Sequence, residues 1–162
     1  MYRLIDVEHR DIRVSTFLLF VQTAQSVLKY MDSYLYRKER LSVSKLIALQ
    51  TLAKTSEGLT PSEIARWTCT ERHNITTLVS RMKKEGLVTV ERSSKNKRLV
   101  NIKLTDKGRE VYNHAIPVTK EIFNQVMLSI TEDDAVVLKE KLISLSQNIF
   151  HGLEGFGKHT MR

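Results

Sequence analysis

The chain has 162 residues, which suffices for one domain or for one compact domain with an added helical layer, and 41% of them are hydrophobic. Its longest notable apolar run, 16–21, is much too short to span a membrane, and Asp6, Glu8 and Asp11 interrupt any early apolar stretch of a secretory signal. The single cysteine, Cys69, excludes an internal disulfide and suits a reducing compartment. We therefore expect a cytoplasmic protein.

The basic residues are concentrated in one part of the chain. Lys and Arg outnumber Asp and Glu by 26 to 18, which gives a formal net charge of +8. Residues 61–110 hold twelve basic and six acidic side chains and so carry +6 of that charge. Within them, residues 92–98 contain four cations and no acid. Such a segment suits a polyanionic partner, although basic proteins also bind membranes and acidic proteins.

The first predicted elements are two helices. Between Val14 and Leu35, apolar residues recur at alternating spacings of three and four, which is typical of a long helix with one apolar stripe. A second helix is predicted from Ser42 or Val43 to Thr55.

A capping pattern marks the third helix. Thr60 is followed by Pro61, and Glu63 lies three residues after the threonine, as in a capping box with proline at the first helical position. We predict a short helix from Pro61 to about Trp67, with the indole buried.

The fourth helix is predicted from Glu71 to Glu85, with Thr70 as its cap and Gly86 in a left-handed conformation just beyond its end. Its apolar positions follow a helical spacing. They are Ile75, Leu78, Val79 and Met82.

Beyond Gly86 the period changes to that of strands. Residues 87–90 and 99–104 predict two antiparallel strands joined by a polar loop at 93–97. A long helix follows from Thr105 to about Ser129, and Pro117 should kink or delay it. Residues 131–134 form a second capping box before a last helix. The residues predicted to face inward on that helix are Leu138, Leu142, Leu145 and Ile149.

This order predicts a mostly α fold with a small antiparallel β-hairpin, a winged helix-turn-helix, whose second helix enters the DNA major groove. The outward positions of helix 71–85 offer side chains for base edges, and Thr76 and Thr77 also bring methyl groups that can meet a thymine. These positions are Arg72, His73, Asn74, Thr76, Thr77 and Ser80. The cations better placed for phosphates or the minor groove are Arg81, Lys83, Lys84, Arg92, Lys95, Lys97 and Arg98.

Residues Leu41–Tyr112 resemble the MarR family of winged-helix transcriptional regulators. The similarity rests on Leu-Thr-Pro-Ser-Glu-Ile-Ala at 59–65, on the run from Asn-Ile-Thr-Thr to Glu-Gly-Leu-Val at 74–88, and on residues 96–98 and 102–108. Two positions depart from the family pattern. Asn96 stands where members usually have an aspartate, and Thr77 where they often have an arginine, so we expect base recognition to differ.

The resemblance implies an obligate homodimer acting on a pseudopalindromic operator. Residues 1–40 would supply an N-terminal dimerisation helix, 41–105 the DNA-binding domain with its wing at 93–98, and 106–162 the C-terminal dimerisation helices, all in one integrated domain. We expect a transcriptional repressor whose binding to double-stranded DNA is modulated by a small ligand or a modification. A winged-helix adaptor that binds proteins without sequence-specific DNA binding is the alternative.

Several residues have two interpretations. Cys69, between Arg66 and Arg72, could be a redox sensor, although packing in the turn is favoured. Four aromatic residues could line a pocket for a small aromatic effector, although core packing is again favoured. They are Tyr30, Tyr34, Tyr36 and Trp67.

Catalysis, cofactors and metals are not expected. The five histidines show no ligand spacing, and the chain lacks phosphate-loop, nucleophile-elbow and zinc-protease motifs. We expect no membrane partner.

Overall fold

The structure is a computed structural model that describes residues 10–68, 70–92 and 100–159, with side chains up to 153. Local contacts group the chain into two units, Met1–Phe123 and Asn124–Arg162. None of the described helices contains a stretch apolar enough to cross a bilayer.

The first unit begins with four helices. These are α1 (Ile12–Glu39), α2 (Val43–Ala53), α3 (Pro61–Trp67) and α4 (Arg72–Lys84). Each predicted helix is confirmed to within a few residues at its ends. The side chain of Asp32 on α1 accepts a hydrogen bond from the backbone N–H of Val43 (2.9 Å), so the first turn of α2 is fastened to α1.

The predicted hairpin is confirmed. Strand β1 (Val88–Arg92) pairs antiparallel with β2 (Val100–Leu104), with Val88 opposite Leu104 and Arg92 opposite Val100. The predicted loop between them lies outside the described residues. A further bridge joins Leu59 to Ile102 through two backbone hydrogen bonds of 2.8 and 2.9 Å. This connects the segment before α3 to the hairpin.

Helix α5 (Asp106–Val126) follows the hairpin, and Pro117 lies inside it without interrupting the helix. The predicted left-handed conformation is confirmed at Gly86, which has φ of 75°. The Thr105 hydroxyl donates a hydrogen bond to the carbonyl oxygen of Gly86 (2.7 Å). The end of α4 is therefore tied to the start of α5.

The core lies in the first unit, between the helices and the hairpin. Its largest fully buried side chains come from the five helices of this unit and from β2, and this packing fixes which side of α4 faces outward. They are Leu35, Leu49, Leu52, Ile64, Ile75, Met82, Ile102 and Ile122.

The second unit contains α6 (Glu132–His159). The predicted capping box at its start is confirmed, because Asp134 donates its backbone N–H to the Thr131 hydroxyl (3.2 Å) while its carboxylate accepts from Thr131. The predicted burial of its apolar face is wrong for the single chain. Leu138, Leu145 and Ile149 are between 40% and 52% exposed.

Candidate nucleic-acid interface

Helix α3 is held by the capping box predicted from the sequence. The Thr60 hydroxyl accepts from the backbone N–H of Glu63 (3.3 Å), and the Glu63 carboxylate accepts from the backbone N–H of Thr60 (2.7 Å) and from its hydroxyl (2.8 Å). These hydrogen bonds, the backbone one foremost, lower the pKa of Glu63. The first turn of α3 is therefore held best when Glu63 is ionised.

The turn between α3 and α4 is tied back onto α3. The Thr68 hydroxyl donates to the Ile64 carbonyl oxygen (2.9 Å), and the backbone N–H of Thr70 donates to that of Ala65 (3.0 Å). The prediction that Thr70 caps α4 is wrong, because its hydroxyl donates to the Thr68 carbonyl and Glu71 holds the cap position without a side-chain hydrogen bond. The turn thus orients α4 mainly through its contacts with α3.

Helix α4 presents a polar face opposite its buried one. Ile75, Val79 and Met82 are at most 7% exposed and pack into the core. Each residue of a helix is rotated by about 100° from the one before it, so the direction opposite these three is a ridge formed by His73, Thr77, Ser80 and Lys84. All nine residues of α4 predicted to contact DNA are exposed. They are Arg72, His73, Asn74, Thr76, Thr77, Ser80, Arg81, Lys83 and Lys84.

A groove lies on the hairpin side of this ridge. Arg72, Thr76 and Lys83 line it on α4, and Arg66 of α3 and Val90 of β1 complete its walls. Arg66 was not among the residues predicted to contact DNA, although a cation in the last turn of the helix that precedes α4 is a signal visible in the sequence.

A second groove lies on the α2 side of the ridge. Asn74, Thr77 and Arg81 line it together with Ser44 and Lys45 at the start of α2. These two α2 residues were not predicted either, because only the tertiary fold brings α2 beside α4.

Polar contacts hold the end of α4 in place. The Lys45 ammonium group donates to both carboxylate oxygens of Glu85 at 2.7 Å, and that of Lys107 donates to the Glu85 carbonyl oxygen at 2.8 Å. Both of these lysines therefore bind Glu85, one at its carboxylate and the other at its backbone carbonyl. Lys83 and Lys84 are exposed.

The predicted wing is described only at its base. Arg92 is exposed at the end of β1, whereas Lys95, Lys97 and Arg98 lie outside the described residues. Cys69 also lies outside them. Their proposed roles stay predictions. Among the described residues, no cluster of three His, Cys, Asp or Glu side chains could hold a metal ion.

The four aromatic residues that could line an effector pocket, with core packing favoured, occupy different surroundings. Tyr30 and Tyr34 are neighbours with ring centroids 5.8 Å apart, and the Tyr34 hydroxyl donates to Glu121 at 2.8 Å. Tyr36 is 56% exposed. The predicted burial of Trp67 is wrong, because its side chain is 65% exposed. The ammonium nitrogen of Lys54 lies 5.8 Å from the centroid of the Trp67 ring. The core lies against Ile64 and Ala65, and Trp67 points away from that side of the helix.

A different cavity of about 360 Å³ lies between α1, α2 and α5. None of the four predicted aromatic residues lines it. The residues that do are Met31, Leu46, Ile47, Gln50, Tyr112, Ile116, Thr119, Lys120 and Phe123. In the sequence, the apolar residues among them look like ordinary buried helix positions. A sequence pattern of this kind does not distinguish residues that line a cavity from residues in a packed interior.

A capped α3, a tied turn, an amphipathic α4 and a two-stranded hairpin define a winged helix-turn-helix protein. A family model described as MarR family matches residues 40–99. The chain is 28% identical over 126 residues to the transcriptional regulator SarZ of Staphylococcus saprophyticus. The aligned region covers 78% of this chain and 83% of SarZ. It is 28% identical over 135 residues to the transcriptional repressor IacR of Pseudomonas putida, covering 83% and 73% of the two chains.

A solved structure shows the same likeness. The organohalide sensing RdhR-CbdbA1625 transcriptional regulator, in its 2,4-dichlorophenol bound form, superposes with a TM-score of 0.77 at 26% identity, covering 90% of this chain and 86% of that one. Residues 40–99 thus match the MarR family, and the chain is similar to transcriptional regulators in sequence and in fold. The resemblance and the fold class predicted from the sequence are confirmed.

Proposed function

We propose that the protein is a sequence-specific repressor that inserts α4 into the major groove of its operator. The observation that carries this proposal is the α4 ridge, a continuous polar surface whose opposite side is locked into the core. Donors and acceptors on a rigid helix are what base edges require, and the cations beside the ridge suit phosphates. Repression would follow from promoter occlusion, in the cytoplasm with the chromosomal DNA.

The proposed working unit is a homodimer. Large apolar side chains remain exposed on α1, where Phe17 is 60% exposed, and on α6, where Leu153 is 59% exposed. A monomeric protein rarely leaves so many apolar residues uncovered on two helices, whereas a two-fold dimer would bury them. Two α4 helices would then read half-sites about 10 bp apart on a pseudopalindrome.

A small ligand is proposed to modulate this binding. The cavity between α1, α2 and α5 combines apolar walls with the polar groups of Gln50, Tyr112 and Lys120, and its volume falls in the range of small-molecule sites. The likeness to a regulator solved with 2,4-dichlorophenol supports an aromatic compound with an anionic or phenolic group. A thermal-shift panel of benzoates and phenols tests it. Ile116→Trp, which fills the cavity, should abolish any shift.

The function itself is tested by fluorescence anisotropy on the DNA upstream of the gene, against scrambled DNA, at several salt concentrations. We expect binding about a thousandfold tighter to the upstream DNA at near-physiological salt. Equal binding that disappears as salt rises would reflect charge alone and would favour the protein-adaptor alternative.

Two kinds of variant separate recognition from attraction. Asn74→Ala should lose about 1–3 kcal/mol mainly on the operator, because a lost base contact affects one sequence. Arg98→Ala should weaken binding to all DNA and reduce the salt dependence. Equal losses from both variants on random DNA would contradict this division of roles.

A further inference from the structure

Two adjacent threonines on α4 turn their hydroxyl groups onto the helix. The Thr77 hydroxyl donates to the carbonyl oxygen of His73 (3.2 Å), and the Thr76 hydroxyl donates to that of Arg72 (3.1 Å). Both side chains are exposed. A threonine whose only O–H is engaged four residues back has no donor left for a base, so it offers outward only its methyl group and the lone pairs of its oxygen.

The two threonines differ in position. Thr77 belongs to the ridge of α4 with His73 and Lys84, almost opposite the buried residues, and it also borders the α2-side groove. Thr76 lines the hairpin-side groove with Lys83. Thr77 is therefore the threonine that approaches the floor of the major groove when the ridge faces DNA. Its neighbours on the ridge present polar or charged groups, so the Thr77 methyl is an apolar contact point among them.

We infer that Thr77 is a specificity-determining residue that recognises thymine by contact between its methyl group and the thymine C5-methyl group. In the major groove only thymine presents such a methyl among the four standard bases. This inference rests on the proposed function and deepens it, because it assigns a base to one position of each half-site. A homodimer would make the contact twice.

The test uses a DNA duplex selected by the full-length protein from a random-sequence library. Each thymine of that duplex is replaced in turn by deoxyuridine, which removes only the C5-methyl group. We expect each half-site to contain one sensitive thymine. Replacing it in one half-site should lower affinity about fourfold, which is the free energy of burying about one methylene group, and replacing it in both half-sites should lower affinity about fifteenfold.

Paired protein variants assign the contact to its atoms. Thr77→Ser keeps the hydroxyl and removes the methyl, so it should lose affinity for the thymine duplex but show no further loss on the deoxyuridine duplex. Thr77→Val keeps the methyl and removes the hydroxyl, so it should bind within about twofold of the unaltered protein and retain the preference for thymine. Thr76→Ser is the matched control and should leave the cost of deoxyuridine unchanged. Circular dichroism melts check that all variants fold.

The outcomes separate this inference from the proposed function. Selection that yields no preferred duplex would contradict the proposed function itself. A preferred duplex that tolerates deoxyuridine at every position would leave sequence-specific binding intact and overturn the methyl contact. Strong loss from Thr77→Val with none from Thr77→Ser would also overturn it, because the hydroxyl would then be the contact. Additive losses from Thr77→Ser and deoxyuridine would assign the thymine to another residue.

Discussion

Helices α4 and α6 are both amphipathic, yet their apolar faces have different surroundings. On α4, Ile75 and Met82 are at most 1% exposed, because α2, α3 and the hairpin cover them. On α6, Leu145 is 40% exposed and Ile149 52%. An apolar period therefore identifies the face of a helix that must be buried, but it does not identify the segment or the chain that buries it.

The largest effect is expected at Gly108, where α5 lies against Leu87 and Leu104. A Cβ atom at Gly108 would collide with the carbonyl oxygen of Leu87 and lie 2.8 Å from Cδ1 of Leu104. Gly108→Ala should therefore lower the free energy of unfolding by about 3 kcal/mol or more. Urea denaturation at a fixed protein concentration measures this change.

The matched control is Gly152→Ala on α6, where nothing lies within 4 Å of the added Cβ. It should raise the free energy of unfolding by about 0.5–1 kcal/mol, because alanine suits a helix interior better than glycine. Equal tolerance of both substitutions would contradict the close contact between α5 and the hairpin.

The second prediction concerns the uncovered face of α6. Leu145→Lys should raise the dissociation constant of the proposed homodimer about a hundredfold, since a two-fold interface loses two buried leucines. Analytical ultracentrifugation measures the constant. Gln147→Lys introduces the same charge on the opposite face of α6 and should leave the dimer unchanged. A monomer in the unaltered protein would refute the dimer outright.

The third prediction compares two caps of the same kind. Thr60→Ala removes the α3 cap and should cost about 1 kcal/mol of unfolding free energy while also weakening DNA binding, because α3 orients α4. Thr131→Ala removes the corresponding cap of α6. It should cost a similar amount without changing DNA affinity at protein concentrations that saturate the dimer. Thermal melts and anisotropy together separate the two effects.

The smallest effect concerns pH. Because hydrogen bonds from Thr60 lower the pKa of Glu63 in the folded state, its contribution to stability is present above the ordinary carboxyl pKa. It is lost as pH falls through the lowered folded value. Glu63→Gln should therefore be slightly less stable at neutral pH and equal to the unaltered protein in acid. Unfolding free energies measured across that acid range test this, and a difference that grew in acid would contradict it.

Short-range patterns were enough to predict much of the architecture. The start of α3 at Pro61, the cap at Thr131 and the left-handed Gly86 were all predicted, because each depends on hydrogen bonds or sterics within about four residues. The exposed face of α4 was also predicted, because an α-helix has 3.6 residues per turn and the spacing of its apolar residues therefore fixes which side is polar.

Features that depend on contacts between distant segments could not be predicted from local patterns. The tertiary structure places Trp67 in solvent, joins Leu59 to Ile102, brings Lys45 to Glu85 and opens a cavity beside Tyr112. Local spacing and capping residues are enough to predict which helices form and which of their faces are apolar. Which segment packs against each of these faces depends on long-range contacts, because many segments compete for the same core.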